Sequence, residues 1–165
     1  MGFLPTGYEP PKNGGSYMKL ADGKNKFRVL GSAIVGYEWW TEVEGKRSPS
    51  RSKTLQEAVE KGVEPLKHFW AFPVWNYQTE AIEVLELTQK TIMAAITQLV
   101  SDDEWGDPKE YDITVTRTGK ELDTKYSVTP SPKREIDPVV TVVFQEMKIN
   151  LDALFVGGDP FRKEE

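Results

Sequence analysis

The segment Lys67 to Tyr77, KHFWAFPVWNY, sets the tightest limit on the fold. Side chains of a strand alternate between faces, so His68, Trp70 and Phe72 share one face and Phe69, Ala71 and Pro73 the other. Both faces therefore carry aromatic rings. A sheet curled into a barrel buries only one face, which leaves at least one large ring for the surface. Pro73 offers no N–H to a ladder, which confines it to an edge or a bulge. Ala81 to Leu87, AIEVLEL, follows a turn at Gln78 to Glu80, and the two segments predict a hairpin.

The rest of the chain arranges itself around this hairpin. Lys24 to Glu42 is β-rich, with Gly31 and Gly36 at places where one long coiled strand would bend or bulge. Val43 to Pro65 reads as a long connection holding the basic stretch GKRSPSRSKT and then TLQEAVEKG, a short helix capped by Thr54 and ended by Gly62. Thr88 to Val100 predicts a helix: Ile92, Ala95, Ile96, Leu99 and Val100 fall on one face and Thr88 stands at the cap position. YDITVTR (Tyr111 to Arg117) and TKYSVT (Thr124 to Thr129) predict a second hairpin around a Gly119-containing loop. Val139 to Phe144 fits a strand or a buried helix, with Asp137-Pro138 favouring a helix start.

The order is strand, long loop, strand, strand, helix, strand, strand. It predicts a mainly β chain built on a five-stranded OB-type β-barrel with a helix between strands three and four. The expected organisation is an N-terminal arm over 1–23, the barrel domain over 24–132 and a C-terminal extension over 133–165. In such barrels the ligand lies across strands two and three and against the loops joining strands one to two and four to five.

Composition narrows the chemistry. With no cysteine among 165 residues, disulfides, zinc–thiolate sites and thiol catalysis are excluded. The single His68 has no acid–base partner in view. The acidic run from Asp102 to Glu110 lacks the ligand order of a calcium loop, and Glu80, Glu83 and Glu86 alternate between strand faces and do not converge. Neither a catalytic site, a metal nor a cofactor is expected. No apolar run approaches the ~20 residues of a membrane span, and MGFLPTGYEPP lacks a signal-peptide pattern, so a cytoplasmic location is expected.

A net charge of −5 is unusual for a chain that grips phosphates. The basic residues are nevertheless clustered: Lys46, Arg47, Arg51 and Lys53 occur without an acid between them, beside Trp39 and Trp40. Aromatic rings next to cations supply stacking and phosphate contact together, the combination a sequence-tolerant single-strand groove uses. The candidate nucleic-acid contacts are Trp39, Trp40, His68, Trp70, Phe72, Trp75 and Tyr77 as stackers. The cations are Lys46, Arg47, Arg51 and Lys53 in the first loop, and Arg117, Lys120 and Lys125 around the second.

The segments NKFRVLGSAIVGYEWW, KHFWAFPVWNY, LTQKTIMAAITQLV, EWGDPKEYDITVTRTG and TKYSV, in this order, resemble the single-stranded-DNA-binding proteins of tailed bacteriophages, over roughly Tyr17 to Pro132. The resemblance implies an OB core and a non-enzymatic role. Such a protein coats and protects DNA unwound in phage replication and recombination, within the bacterial host cytoplasm. Single-stranded DNA is then the expected partner, with RNA an open alternative because stacking and phosphate contacts serve both. Gly158-Asp159-Pro160-Phe161 is similar to the ending by which bacterial single-strand-binding proteins recruit replication and recombination partners, although Arg162 to Glu165 follow it here. Self-association through Val139 to Phe155 is a further expectation. The competing reading is an OB-type protein-interaction module of a phage replication complex, its rings docking a polypeptide.

Overall fold

The computed structural model describes Phe3 and residues 16–161. Most of the expected N-terminal arm and the last four residues, Arg162 to Glu165, lie outside the described residues. The strands are β1 (Ser16–Tyr17), β2 (Gly23–Val29), β3 (Ile34–Val43), β4 (Lys46–Ser52), β5 (Lys67–Asn76), β6 (Ala81–Leu87), β7 (Asp112–Thr118) and β8 (Lys125–Pro130). Helices are α1 (Leu55–Lys61), α2 (Lys90–Ser101) and α3 (Pro138–Met147), with 3-10 turns at Pro108–Glu110, Glu121–Asp123 and Leu151–Val156.

The chain is mainly β, as expected, but the five-stranded closed barrel is corrected. Eight strands form one open sheet in the order β1-β6-β5-β2-β7-β8, and β3 branches off to pair with β4 and β5. All pairings are antiparallel except β1 with β6. Closure would require β6 to meet β8. Instead β1 takes the free edge of β6, with Ser16 opposite Glu83, and α2 lies against β8.

The expected long strand over Lys24–Glu42 is two strands. Val29 stands opposite Val74 and Ile34 opposite Ala71, so the four residues 30–33 face only Phe72 and Pro73, and the two extra residues bulge out. Pro73 sits opposite this bulge, and its carbonyl accepts from the Leu30 N–H at 2.9 Å. A proline is thereby accommodated in a central strand. Gly31 lets the chain pass close there, since a Cβ would come within 3.0 Å of the Pro73 ring and 3.1 Å of the Phe144 ring.

Rings of β5 are buried on both faces. On one, Phe72 and Val74 join Phe27, Leu85, Leu87, Ile113 and Val115 under Ile92, Met93 and Ile96 of α2. On the other, Phe69 and Ala71 are covered by Leu154 and Phe161 of the C-terminal segment. A fully buried Phe contributes roughly 2–3 kcal/mol, so this second cover is a substantial part of the fold. The tail is therefore folded against the sheet. Phe161 is buried edge-on to Tyr17 at 6.3 Å.

The helices follow their signals with two corrections. Thr54 Oγ1 accepts from the Glu57 N–H and Gly62 closes α1. Thr88 does not cap α2: the N-cap position is Gln89, without a side-chain bond. Val100, expected on the buried face, is 48% exposed. Val139 to Phe144 is helical, and Asp137 caps Val139, yet only Val140 of α3 is buried.

Candidate nucleic-acid interface

The basic stretch is a strand rather than a loop. Glu44 and Gly45, with φ of 53° and 80°, form the two-residue turn that joins β3 to β4. Positive φ at both central residues matches the right-handed twist of a hairpin. Arg47 then stands opposite Glu42, and Trp40 opposite Pro49.

Alternation along β3 separates the two tryptophans. Trp40 is 45% exposed, and the Arg47 guanidinium lies 5.4 Å from its ring centroid. Together with Lys67, Glu64 and Pro65 they line a surface recess of about 460 Å³. Trp39 is only 5% exposed and packs beside Gly62 under α1, so it is corrected from stacker to core.

Position along β4 divides the cations, since Arg47 and Arg51 share a face. Arg51 is nearly buried, ion-paired to Glu86 at 2.9 Å, with the Glu38 carboxyl 3.6 Å from its Nε and its guanidinium against Phe69. It is corrected from phosphate contact to internal ion pair. Burial, then the neighbouring Glu86, pushes the Glu38 carboxyl up to about 8, against the pull of Arg51 and Lys67. Glu38 is therefore protonated at neutral pH beside an Arg51–Glu86 pair. Lys46 is exposed near the hairpin tip, and the Lys53 ammonium lies 5.4 Å from the Phe155 ring.

The rings of β5 have separate fates. Phe72 is core and is withdrawn as a stacker. His68 is exposed, tilted against Tyr37 at 5.1 Å, with Nδ1 2.8 Å from the Gly36 carbonyl. Trp70 is half-buried and lines a cleft with Gly31, Ala33 and Val100. Trp75 is half-buried across from Arg28. The Tyr77 hydroxyl donates to Asp112 at 2.7 Å, with the Lys26 ammonium 5.0 Å from its ring, and burial raises its pKa, as does that hydrogen bond.

The second loop stands at the other end of the β2–β3 path. Arg117 pairs with Gly23, whereas Val43 pairs with Lys46. Arg117 donates to the Leu20 carbonyl and faces Asp22 at 3.8 Å, while Lys120 and Lys125 are exposed. The structure thus gathers Trp40 and Arg47 into one place and leaves the second-loop cations apart from it.

Lys67 and Tyr37 belong to the same neighbourhoods and were missed by sequence reasoning. Register supplies them: Lys67 pairs with Glu38, and Tyr37 with His68. The acidic run is structural, since Asp102 accepts from the Glu104 N–H and Asp107 from the Lys109 N–H. Among the described residues no cluster of three potential metal ligands occurs, and no helix is long and apolar enough to cross a membrane. No protein-family model and no curated protein matches the chain.

Proposed function

We propose that this protein binds single-stranded nucleic acid, coating an unwound strand with little sequence preference and catalysing no reaction. The observation that carries the reading is the half-exposed Trp40 with the Arg47 guanidinium beside its ring and Lys67 in the same recess. A base stacked on such a ring is worth about 1–3 kcal/mol, and flanking cations take up the phosphates.

Strand pairing supports an OB-type ancestry for the binding platform. The β2–β3 path pairs with β5, β5 with β6, β2 with β7 and β7 with β8, and α2 lies between β6 and β7 in sequence. This is the OB order with its closing ladder replaced by β1. In that comparison the β3–β4 hairpin is the loop between strands one and two, where OB folds meet their ligand. The resemblance to phage single-stranded-DNA-binding proteins extends the proposal to DNA exposed in phage replication and recombination, in the host cytoplasm.

Tryptophan fluorescence titrated with a poly-pyrimidine strand at two salt concentrations tests the reading. Quenching at low salt that weakens steeply with added salt is expected, and no quenching at low salt overturns it. One observation favours a second reading, a protein-interaction module: α3 presents Val139, Val142 and Val143 to solvent. Retention of a replication partner by a Trp40→Ala, Arg47→Glu variant that no longer binds the strand would favour it.

A further inference from the structure

Buried arginines normally find acceptors for their donors, and an orphan calls for an explanation, one of which is a water or an ion held there. Among the described residues, three arginine nitrogens are buried without a hydrogen bond: Arg51 Nε, Arg117 Nε and Arg28 Nη2. The first two face carboxylates at 3.6 and 3.8 Å. Arg28 Nη2 belongs to the guanidinium whose Nε pairs with Asp112 at 2.8 Å, and it makes no hydrogen bond of its own among the described residues. Only 1% of the Arg28 side chain is exposed, its Nε donates to Asp112 at 2.8 Å and its Nη1 to the Lys109 carbonyl at 3.3 Å.

Arg28 lines a cleft of about 640 Å³ between the sheet and the start of α3. Lys109, Lys133 and Arg134 line it too, against the carboxylates Glu110 and Glu135. Lys109 is shared with Asp107 at 3.6 Å, and Lys133 with Glu110 at 3.9 Å. Beneath them Asp112 is fully buried and already contacts Arg28, Arg134 and Lys26. Five cations, Lys26, Arg28, Lys109, Lys133 and Arg134, thus stand against four carboxylates, Asp107, Glu110, Asp112 and Glu135, which leaves one positive charge in excess. Thr141 adds a hydroxyl, and Ile136 and Val142 an apolar wall.

We infer that this cleft is a phosphate-binding site, in which Arg28, Lys133, Arg134 and Thr141 hold the phosphate of a nucleotide unit. A planar guanidinium with a free nitrogen suits a phosphate oxygen, and the cleft is larger than a lone phosphate requires. The phosphate can belong to a free or terminal nucleotide or to the backbone of a bound strand. Only the last source rests on the function proposed above.

Arginine Nε–Hε NMR of the full chain distinguishes these sources, with inorganic phosphate, thymidine 5′-monophosphate and a 5′-hydroxyl oligothymidine as probes and chloride as the ionic-strength control. A saturable shift of Arg28 with either small probe assigns a free or terminal phosphate, and a shift with the oligonucleotide alone assigns the backbone. Lys133→Gln combined with Thr141→Val is expected to weaken whichever probe binds by about tenfold or more, the equivalent of one lost charged hydrogen bond. Lys148→Gln, on the far end of α3, should not. The inference is overturned if no probe moves Arg28 beyond chloride, or if the double variant binds as tightly as the parent. Trp40 quenching by the oligonucleotide while Arg28 stays silent in every arm would sink this site and leave the strand-binding reading standing.

Discussion

Trp39 and Trp40 are consecutive residues on opposite faces of β3, the first 5% exposed beneath α1 and the second 45% exposed beside Arg47. Identical side chains therefore have different work. Trp40→Ala is expected to weaken strand binding by about 1–3 kcal/mol with little change in thermal stability. Trp39→Ala should cost about 3–5 kcal/mol of stability by opening a cavity. Urea denaturation beside fluorescence or anisotropy titration separates the two, and equal effects on binding and folding would refute the division.

Arg47 and Arg51 share a face of β4 but differ in position along it, Arg47 exposed near the hairpin tip and Arg51 nearly buried against Glu38 and Glu86. Arg47→Glu should leave folding intact, weaken strand binding, and reduce the slope of log affinity against log salt by about 0.7 per lost phosphate contact. Arg51→Ala instead leaves Glu86 without its 2.9 Å partner in a largely buried setting. A loss of up to about 3–5 kcal/mol in stability is expected. An Arg51 variant that folds normally and loses only binding would restore it to the interface.

Asp112 is the hub of the opposite cluster, fully buried between Arg28 and Arg134, with Tyr77 donating to it. Asp112→Asn keeps the shape but removes the charge that balances those cations. It should destabilise the fold by about 3–5 kcal/mol, the cost of breaking a buried pair. Comparison of denaturation midpoints with an exposed control such as Lys148→Gln checks this.

The hairpin β5–β6, the helix α2 and the hairpin β7–β8 were legible because each carries its own period and its own turn. The β3–β4 hairpin was not, because its turn is Glu44-Gly45 and glutamate is rarely placed at positive φ. Without that turn, GKRSPSRSKT reads as a loop, and Arg47 and Arg51 as equals. Gly31 marked a bend or bulge, but the full break into two strands at residues 30–33 goes with the approach of Pro73 and Phe144 to Gly31, contacts distant in sequence. The fate of Phe69 was equally closed, since its cover comes from Leu154 and Phe161. Trp40 and Arg47 were legible as chemistry, while their separation from Trp39 and Arg51 needed the register.

Stability should also depend on pH through Glu38. In the fold its carboxyl is pushed up to about 8 by burial and by Glu86, from an ordinary value of 4.5. Between these two pH values the native state binds a proton that the unfolded chain has released. Stability therefore falls as pH rises from about 4.5 to about 8 and levels off above. One proton sets an upper limit of ~1.4 kcal/mol per pH unit on that slope. Because Glu38 and Glu86 titrate together, the measured slope belongs to the pair. Glu38→Gln mimics the protonated form, since its amide can still donate to Glu86. Urea unfolding from pH 5 to pH 8 should show a declining stability in the parent and a flatter one in the variant, with the variant the more stable at pH 8. Parallel profiles would show that Glu38 is ionised in the fold.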